Sequence, residues 1–358
     1  MAHGGAAALA AILAASAAAA QEPAYPRLTG LTYGRFQLES VYRSSNGRRE
    51  VDQFLTRSTL LTALELDPRW AIRSSLKLEP VERVARDRVF GGHGLWLEEL
   101  YVDYEDDDVG LFAGKFNATF GFAFDHAPIM FGRRIVQEYE TADRIGGGGK
   151  LKWHDAAGGR HALVASTFFL DSTVTSQSLF TRPDFGAPTT FRPGRVRPED
   201  GGLSNTRSLE SFTVAMTGQG VGGPLDLSYT VGWRHQRAGA TEAHDEDGLA
   251  AGARWTWRLD EGTYLRPLVE YAHFRRFAGG DGEVRFLTAA ATLSHGGWLA
   301  TLTASGRVGE GRTDHLLAAT GGYAWPGGIA VEVGWKTERI RDIESQAAGM
   351  LVRWRRTF

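Results

Sequence analysis

The side chains with the most obvious chemical potential lie in one stretch, "DHAPIMFGRRIVQEYETADR", at residues 125–144. The stretch combines carboxylates, guanidinium groups and an imidazole: Asp125, His126, Arg133, Arg134, Glu138, Glu140, Asp143 and Arg144. Groups of opposite charge held across a narrow opening set an electric field, so that size and charge together select what passes. The alternative interpretation is a solvated surface loop.

The remaining reactive side chains do not form a catalytic set. A hydrolase would need a serine with a histidine partner, for which His154 beside Asp155, and His235, are candidates. No G-x-S-x-G sequence supplies a nucleophile turn. The chain has no cysteine, which excludes thiolate catalysis and cysteine-ligated metals. The sequence therefore predicts that the protein is not an enzyme.

Glycine and acidic clusters also resemble binding sites only superficially. "GGGGK" at 146–150 is followed by Leu151, where a phosphate-binding loop needs Ser or Thr. The glycines instead predict a strand with room for the 118–142 segment to pack on it. "EDDD" at 105–108 and "HDED" at 244–247 lack a full calcium-loop pattern and are expected to be solvated turns. We predict neither a metal nor a cofactor, and the net charge of -2 argues against nucleic acid.

Alternation of apolar and polar residues runs along nearly the whole chain and predicts β-strands. In "RWAIRSSLKLEP", Trp70, Ile72 and Leu76 fall on one face, and Arg73 and Lys77 on the other. Sixteen such segments allow about 21 residues per strand and connection, enough to cross a bilayer and turn. They lie at 29–42, 53–66, 69–84, 95–105, 109–117, 143–155, 160–171, 207–218, 224–237, 248–260, 262–277, 283–295, 297–308, 313–325, 328–340 and 344–358.

The arrangement of these strands favours a membrane barrel over a soluble sandwich. Tryptophans stand near strand ends, where they suit the aromatic girdles of a barrel: Trp70, Trp233, Trp298, Trp325 and Trp354. Closure leaves no unpaired edge in lipid. We predict an all-β, transmembrane, antiparallel up-and-down barrel of about 16 strands, with 14 or 18 as alternatives. The 118–142 segment would be its third external loop.

The two chain ends carry separate predictions. "MAHGGAAALAAILAASAAAA" predicts a signal peptide at 1–20 and a barrel domain at 21–358, although its start lacks Lys and Arg. The last strand would close the barrel against the first. Its lumen face would carry Arg353 and Arg355, and its lipid face Met350, Val352, Trp354 and Phe358.

"LEELYVDYEDDDVGLFAGKFNATFG", at 97–121, resembles the phosphate- and polyphosphate-selective porins of Gram-negative outer membranes. That family has a strand "reAyvdy", a short turn and a strand ending "GkfktPfG"; Thr119 here replaces the proline. The resemblance implies a 16-stranded outer-membrane barrel, commonly a homotrimer, with an inward third loop. It also implies passive diffusion of small hydrophilic solutes, and contact with lipid and lipopolysaccharide. An aromatic last residue, here Phe358, is read in such proteins by the outer-membrane assembly machinery.

The charge along the predicted inner wall indicates which solutes the barrel would let through. The alternation directs basic residues inward at Arg57, Arg73, Lys77, Lys115, Lys150, Lys152, Arg234, Arg254, Arg258, Arg266, Lys336, Arg353 and Arg355. Fewer acids face inward: Glu65, Glu79, Asp226, Glu270, Glu332 and Glu338. A positively charged wall lowers the barrier for anions, so we expect an anion preference. The alternatives are lipopolysaccharide binding by some of these groups, a plugged barrel for ligand binding or adhesion, and, least favoured, a barrel hydrolase.

Overall fold

The computed structural model describes residues 24–81, 88–90, 92–180, 195–223 and 226–358. The predicted signal peptide at 1–20 lies outside them. The described residues form one antiparallel sheet that closes on itself, with short helical turns only in its connections. Among these residues, no helix has the length and hydropathy needed to cross a membrane.

Sixteen strands make up the wall of this closed sheet, as the alternation predicted. They are β1 Arg27–Ser44, β2 Asp52–Glu65, β3 Trp70–Pro80, β4 His93–Glu105, β5 Val109–Phe116, β6 Arg144–His154, β7 Arg160–Leu170, β8 Ser211–Val221, β9 Leu227–Gln236, β10 Glu246–Arg254, β11 Thr263–Arg275, β12 Glu283–His295, β13 Trp298–Gly309, β14 Arg312–Ala324, β15 Ile329–Ile340 and β16 Ile343–Thr357. Two further paired segments add no wall strand. Trp257–Asp260 continues β10 alongside β11, and Arg88–Val89 lies parallel to β2.

The pairing between β1 and β16 closes the barrel. β1 is antiparallel to both β2 and β16, with Tyr33 opposite Arg355 and Phe36 opposite Val352. The backbone of Phe358 continues this ladder, because its N–H and C=O both bond to Gly30 at 3.0 Å. The last strand therefore has its predicted place, and no edge of the wall is left unpaired.

Connections of unequal length divide the barrel into two ends. Tight turns such as 66–69, 106–108 and 296–297 lie at the end that also holds both chain termini. The opposite end, called the loop end below, carries the long connections 117–143 and 171–210. Two connections at the loop end, 310–311 and 341–342, are as short as the turns. The long loops therefore lie together on one side of the barrel opening.

The outer surface of the wall is apolar and exposed. Leu249, Leu287, Leu302 and Val333 are 54–63% exposed, although each lies in the middle of a strand. Trp298 packs edge-to-face against Tyr323 near the turn end, with the ring centroids 5.1 Å apart. An apolar band with interfacial aromatics suits the hydrocarbon core of a bilayer, whereas water would penalise it. The buried core, in contrast, lies inside the barrel between the wall and the 117–143 connection.

Candidate functional site

The third loop, residues 117–143, folds into the barrel, and a carboxylate on the far wall holds it there. Glu270 of β11 is fully buried. It accepts hydrogen bonds from the backbone N–H of Phe122, from Ala123 N–H at 3.1 Å, and from the Tyr139 hydroxyl at 2.5 Å. The inward third loop predicted from the sequence is therefore confirmed.

Wall glycines make space for this loop. The backbone of Phe120 lies over Gly232 of β9, where an added Cβ would come within 2.3 Å of the Phe120 carbonyl oxygen. Met130 lies against Gly334 and Gly349 on β15 and β16. The loop thus crosses the lumen from β5 to the opposite wall.

The "GGGGK" glycines on β6 do not receive the loop, so that prediction is wrong. The atoms nearest to Gly146 belong to Thr167 and Phe168 of β7, and those nearest to Gly148 to Phe112, Ala165 and Ser166 on β5 and β7. These glycines accommodate their own neighbouring strands, because the loop departs from this part of the wall.

Three predicted pore residues serve instead to anchor the loop. Arg134 pairs with Glu338 of β15 at 3.6 Å, and Glu138 lies 3.4 Å from Arg307 of β13. Arg144, at the start of β6, is buried and donates to a side-chain amide on β9. Their charges are engaged by the wall.

The other predicted loop residues face the lumen more openly. Asp125 is exposed, and Arg133 lies 5.0 Å from the Phe124 ring centroid. His126 stacks on Phe122 at 3.8 Å, and burial lowers the pKa of its imidazole. Glu140 is partly exposed, and its charge acts on Lys77 across the passage.

Three guanidinium groups meet where the third loop approaches β1. Arg35 lies directly opposite Arg57 in the β1–β2 register. Arg35 donates to the carbonyl of Ile129 at 3.0 Å, is repelled by the charges of Arg57 and Arg133, and is attracted by the charge of Glu79. Arg57 is exposed and forms no ion pair with any described residue. We call Arg35, Arg57 and Arg133 the arginine cluster; Arg35 was not among the sequence candidates, although the β1 alternation would have placed it inward.

Carboxylates on β4 neutralise several of the predicted basic wall residues. Lys77 pairs with Glu98, Arg73 with Asp103 at 2.5 Å, and Lys150 and Lys152 with Glu105 at 2.5 and 2.6 Å. Sequence analysis counted none of these acids on the inner wall. A register shift between Ser75 and Leu76 makes Glu98 an extra residue in β4, so that Glu98 points inward together with Asp103, although an odd number of positions separates them. This part of the wall is therefore balanced in charge, and the expected basic excess is smaller there.

Lys115 is a structural group rather than an open pore residue. Its ammonium lies 2.7 Å from Asp171 and 3.2 Å from Asp143, and the side chain is 5% exposed. Burial opposes ionisation of Asp171, but the hydrogen bonds from Lys115 and two threonines prevail and lower the pKa of this carboxyl. The pair ties the end of the third loop to the start of the fourth.

The remaining wall candidates differ in whether their charge is paired. Arg234, Lys336 and Arg353 pair with Glu246, Glu338 and Glu332 at 2.6, 3.2 and 2.8 Å. Arg254 is half-buried, Arg258 and Arg355 are exposed, and none of the three pairs with a carboxylate among the described residues. Positive charge thus lies in the arginine cluster and toward the turn end, and the β3–β6 wall between them is largely neutralised.

Water must reach the inner wall. Inward side chains remain accessible, with Arg73 at 44%, Arg353 at 34%, and Lys150 and Lys152 at 29% and 27%. The strands pair continuously around the barrel, so solvent touches these groups only through the lumen.

Comparison with known proteins supports the architecture. No family model matches the chain, and no curated protein matches it either. Among solved structures, OprB of Pseudomonas putida is similar with a TM-score of 0.63 at 9% identity, over 92% of this chain and 94% of that one. The outer membrane channel DcaP of Acinetobacter baumannii gives 0.57 at 12% identity, over 93% and 96%. The trimer form of OmpT, an outer membrane protein of Vibrio cholerae, gives 0.52 at 9%, over 92% and 99%.

At these identities the likeness concerns the fold alone. The chain has the closed 16-stranded architecture of a multi-pass outer-membrane β-barrel, with an inward third loop.

Proposed function

We propose that the protein is an outer-membrane porin through which small hydrophilic solutes diffuse passively. The observation that carries this proposal is the water-exposed, charged inner wall of a closed barrel whose third loop is fixed inside it. A plugged barrel would cover these wall charges, and a hydrolase would need a nucleophile and base on the rim. The loop contacts β1 through Arg35, but Arg73 on β3 and Lys150 and Lys152 on β6 stay accessible beside it.

Liposome swelling tests this proposal. Proteoliposomes in isotonic solutions of increasingly large sugars should swell at rates that fall with solute size, as expected for a water-filled passage. Liposomes without protein provide the control. Failure of the smallest sugars and of ions to enter would contradict the channel and favour the plugged alternative.

We further propose that the arginine cluster gives the channel a preference for anions. Arg35, Arg57 and Arg133 bring three positive charges together where the loop approaches the wall, with the charge of Glu79 also acting on Arg35, and a net positive charge lowers the barrier for anions. Reversal potentials in a KCl gradient measure this preference, and a cation-selective sign would contradict it. Replacing chloride with phosphate in the same measurement tests the phosphate preference that the 97–121 resemblance implies.

The remaining biological assignments follow from the same proposal. Residues 1–20 would direct export and be removed, Phe358 would be read by the assembly machinery, and lipid and lipopolysaccharide would surround the apolar band. We also propose a homotrimer, supported by the trimer form of the similarly folded OmpT. Analytical ultracentrifugation in density-matched detergent tests the trimer, and a monomer as the sole species would contradict it.

A further inference from the structure

A cavity of about 360 Å³ lies at the loop end of the barrel, beside the third loop. Its wall combines Arg144 of β6 and Gln236 of β9 with Glu242 and Phe277 from two further loops. The cavity is separate from the arginine cluster, which lies on β1, β2 and the middle of the third loop. Solute entering from the loop end would meet it before the constriction.

Arg144 brings a buried guanidinium with two unused hydrogen-bond donors to this cavity. The side chain is 8% exposed, and its Nη2 donates to the Gln236 amide oxygen at 3.1 Å. Its Nε and Nη1 are buried without a hydrogen-bond partner among the described residues. The neighbouring Arg234 pairs with Glu246 at 2.6 Å, and the nearby Asp143 is held by Lys115. A buried guanidinium with two unused donors is costly unless an anion completes its shell.

Glu242 brings an uncompensated negative charge to the same cavity. One oxygen, Oε1, accepts from the Thr241 hydroxyl at 2.8 Å, whereas Oε2 is buried without a partner among the described residues. Three other carboxylates line the cavity. Glu138 is held by Arg307 and Arg312, Glu246 by Arg234, and the charge of Glu140 acts on Lys77. The cavity therefore combines unused guanidinium donors on Arg144 with an unused carboxylate oxygen on Glu242.

We propose that this cavity is a binding site for a small zwitterion, such as a free amino acid. The solute carboxylate would take the unused donors of Arg144, because a planar guanidinium matches two carboxylate oxygens. The solute ammonium would take the unpartnered oxygen of Glu242. A simple anion would leave Glu242 unmatched, and a simple cation would leave Arg144 unmatched. The site rests on the proposed function only in that the solute would arrive through the lumen.

Saturation-transfer NMR on the purified full-length protein in deuterated detergent tests the site without requiring conduction. The probes are L-alanine, propionate, which lacks the ammonium, and ethylamine, which lacks the carboxylate. We expect L-alanine to bind at least tenfold more tightly than either of the others. The substitution Arg144→Gln should reduce L-alanine binding at least tenfold, and Arg144→Lys should restore only part of it.

The second cavity group and a matched control complete the experiment. Glu242→Gln, an isosteric change in a loop, should weaken L-alanine binding without weakening propionate binding. Arg339→Gln is the control, because Arg339 pairs with Asp342 on an exposed connection away from the cavity. Equal binding of L-alanine by wild type and Arg144→Gln would overturn the proposal. Propionate binding as tight as that of L-alanine, unaffected by Glu242→Gln, would also overturn it, leaving a simple anion site. Failure of liposome swelling with intact L-alanine binding would refute the channel alone.

Discussion

Glu270→Gln should release the third loop from the wall. The Glu270 carboxylate is the acceptor for two backbone N–H groups, of Phe122 and Ala123, and for the Tyr139 hydroxyl. Glutamine has nearly the same shape but carries no charge, and one of its two polar atoms is a donor. The NH₂ group of glutamine would face at least one hydrogen-bond donor of the loop, and two donors cannot bond to each other.

The size of the effect follows from the hydrogen bonds that are lost. A hydrogen bond to a charged group contributes about 1.5–3 kcal/mol. Glutamine keeps one acceptor oxygen, so we expect Glu270→Gln to weaken loop attachment by about 2–4 kcal/mol. Because 1.4 kcal/mol corresponds to a factor of ten, the detached fraction should rise about 30- to 700-fold.

Single-channel recording measures this change directly. Detachment should appear as larger current noise and as added events of higher conductance, because the loop no longer narrows the lumen. Glu283→Gln is the matched control, since Glu283 lies on the adjacent strand β12 and contacts His273 and Arg285 rather than the loop. Wild-type conductance and noise in Glu270→Gln, with the barrel folded, would refute the conclusion that this carboxylate holds the constriction.

Three further predictions concern selectivity and assembly. Arg57→Gln should lower the anion-to-cation permeability ratio about fivefold, since a charge about 8 Å from an ion contributes ~0.5 kcal/mol in water, favourable for an anion and unfavourable for a cation, a difference of ~1 kcal/mol. An unchanged reversal potential would show that Arg57 does not contribute to the selectivity. Because burial lowers the pKa of His126, its imidazole should gain charge only as pH falls below about 6.5. Anion preference should then increase as pH falls below about 6.5, and His126→Gln should lack that increase. Deleting Phe358 should reduce the amount of barrel in the outer membrane without preventing refolding in detergent, and equal amounts in cells would contradict an assembly signal.

Alternation along the sequence was sufficient to predict the wall. Strands such as β12, predicted and observed at 283–295, depend on a local pattern in which every second residue faces lipid. Closure followed from the cost of unpaired edges. The last strand, β16, could be predicted from its local sequence in the same way, because the apolar Met350 requires lipid and the charged Arg353 requires water.

The site was less predictable because it depends on contacts between distant residues. Nothing local in "WLEELYVDYE" shows that Glu98 is an extra residue in its strand, since the shift arises in pairing with β3. The role of Glu270 as the loop anchor depends on residues almost 150 positions earlier in the chain. Arg35, in contrast, follows the simple β1 alternation and could have been included from sequence alone.

The most direct test of the channel is the conductance of the purified wild-type protein in a planar bilayer with symmetrical KCl. A water-filled lumen predicts stepwise current increases as single proteins insert, with a conductance that rises nearly in proportion to salt concentration. A folded, inserted barrel that carries no current above the bare bilayer would contradict the proposal that its charged inner wall lines an open path.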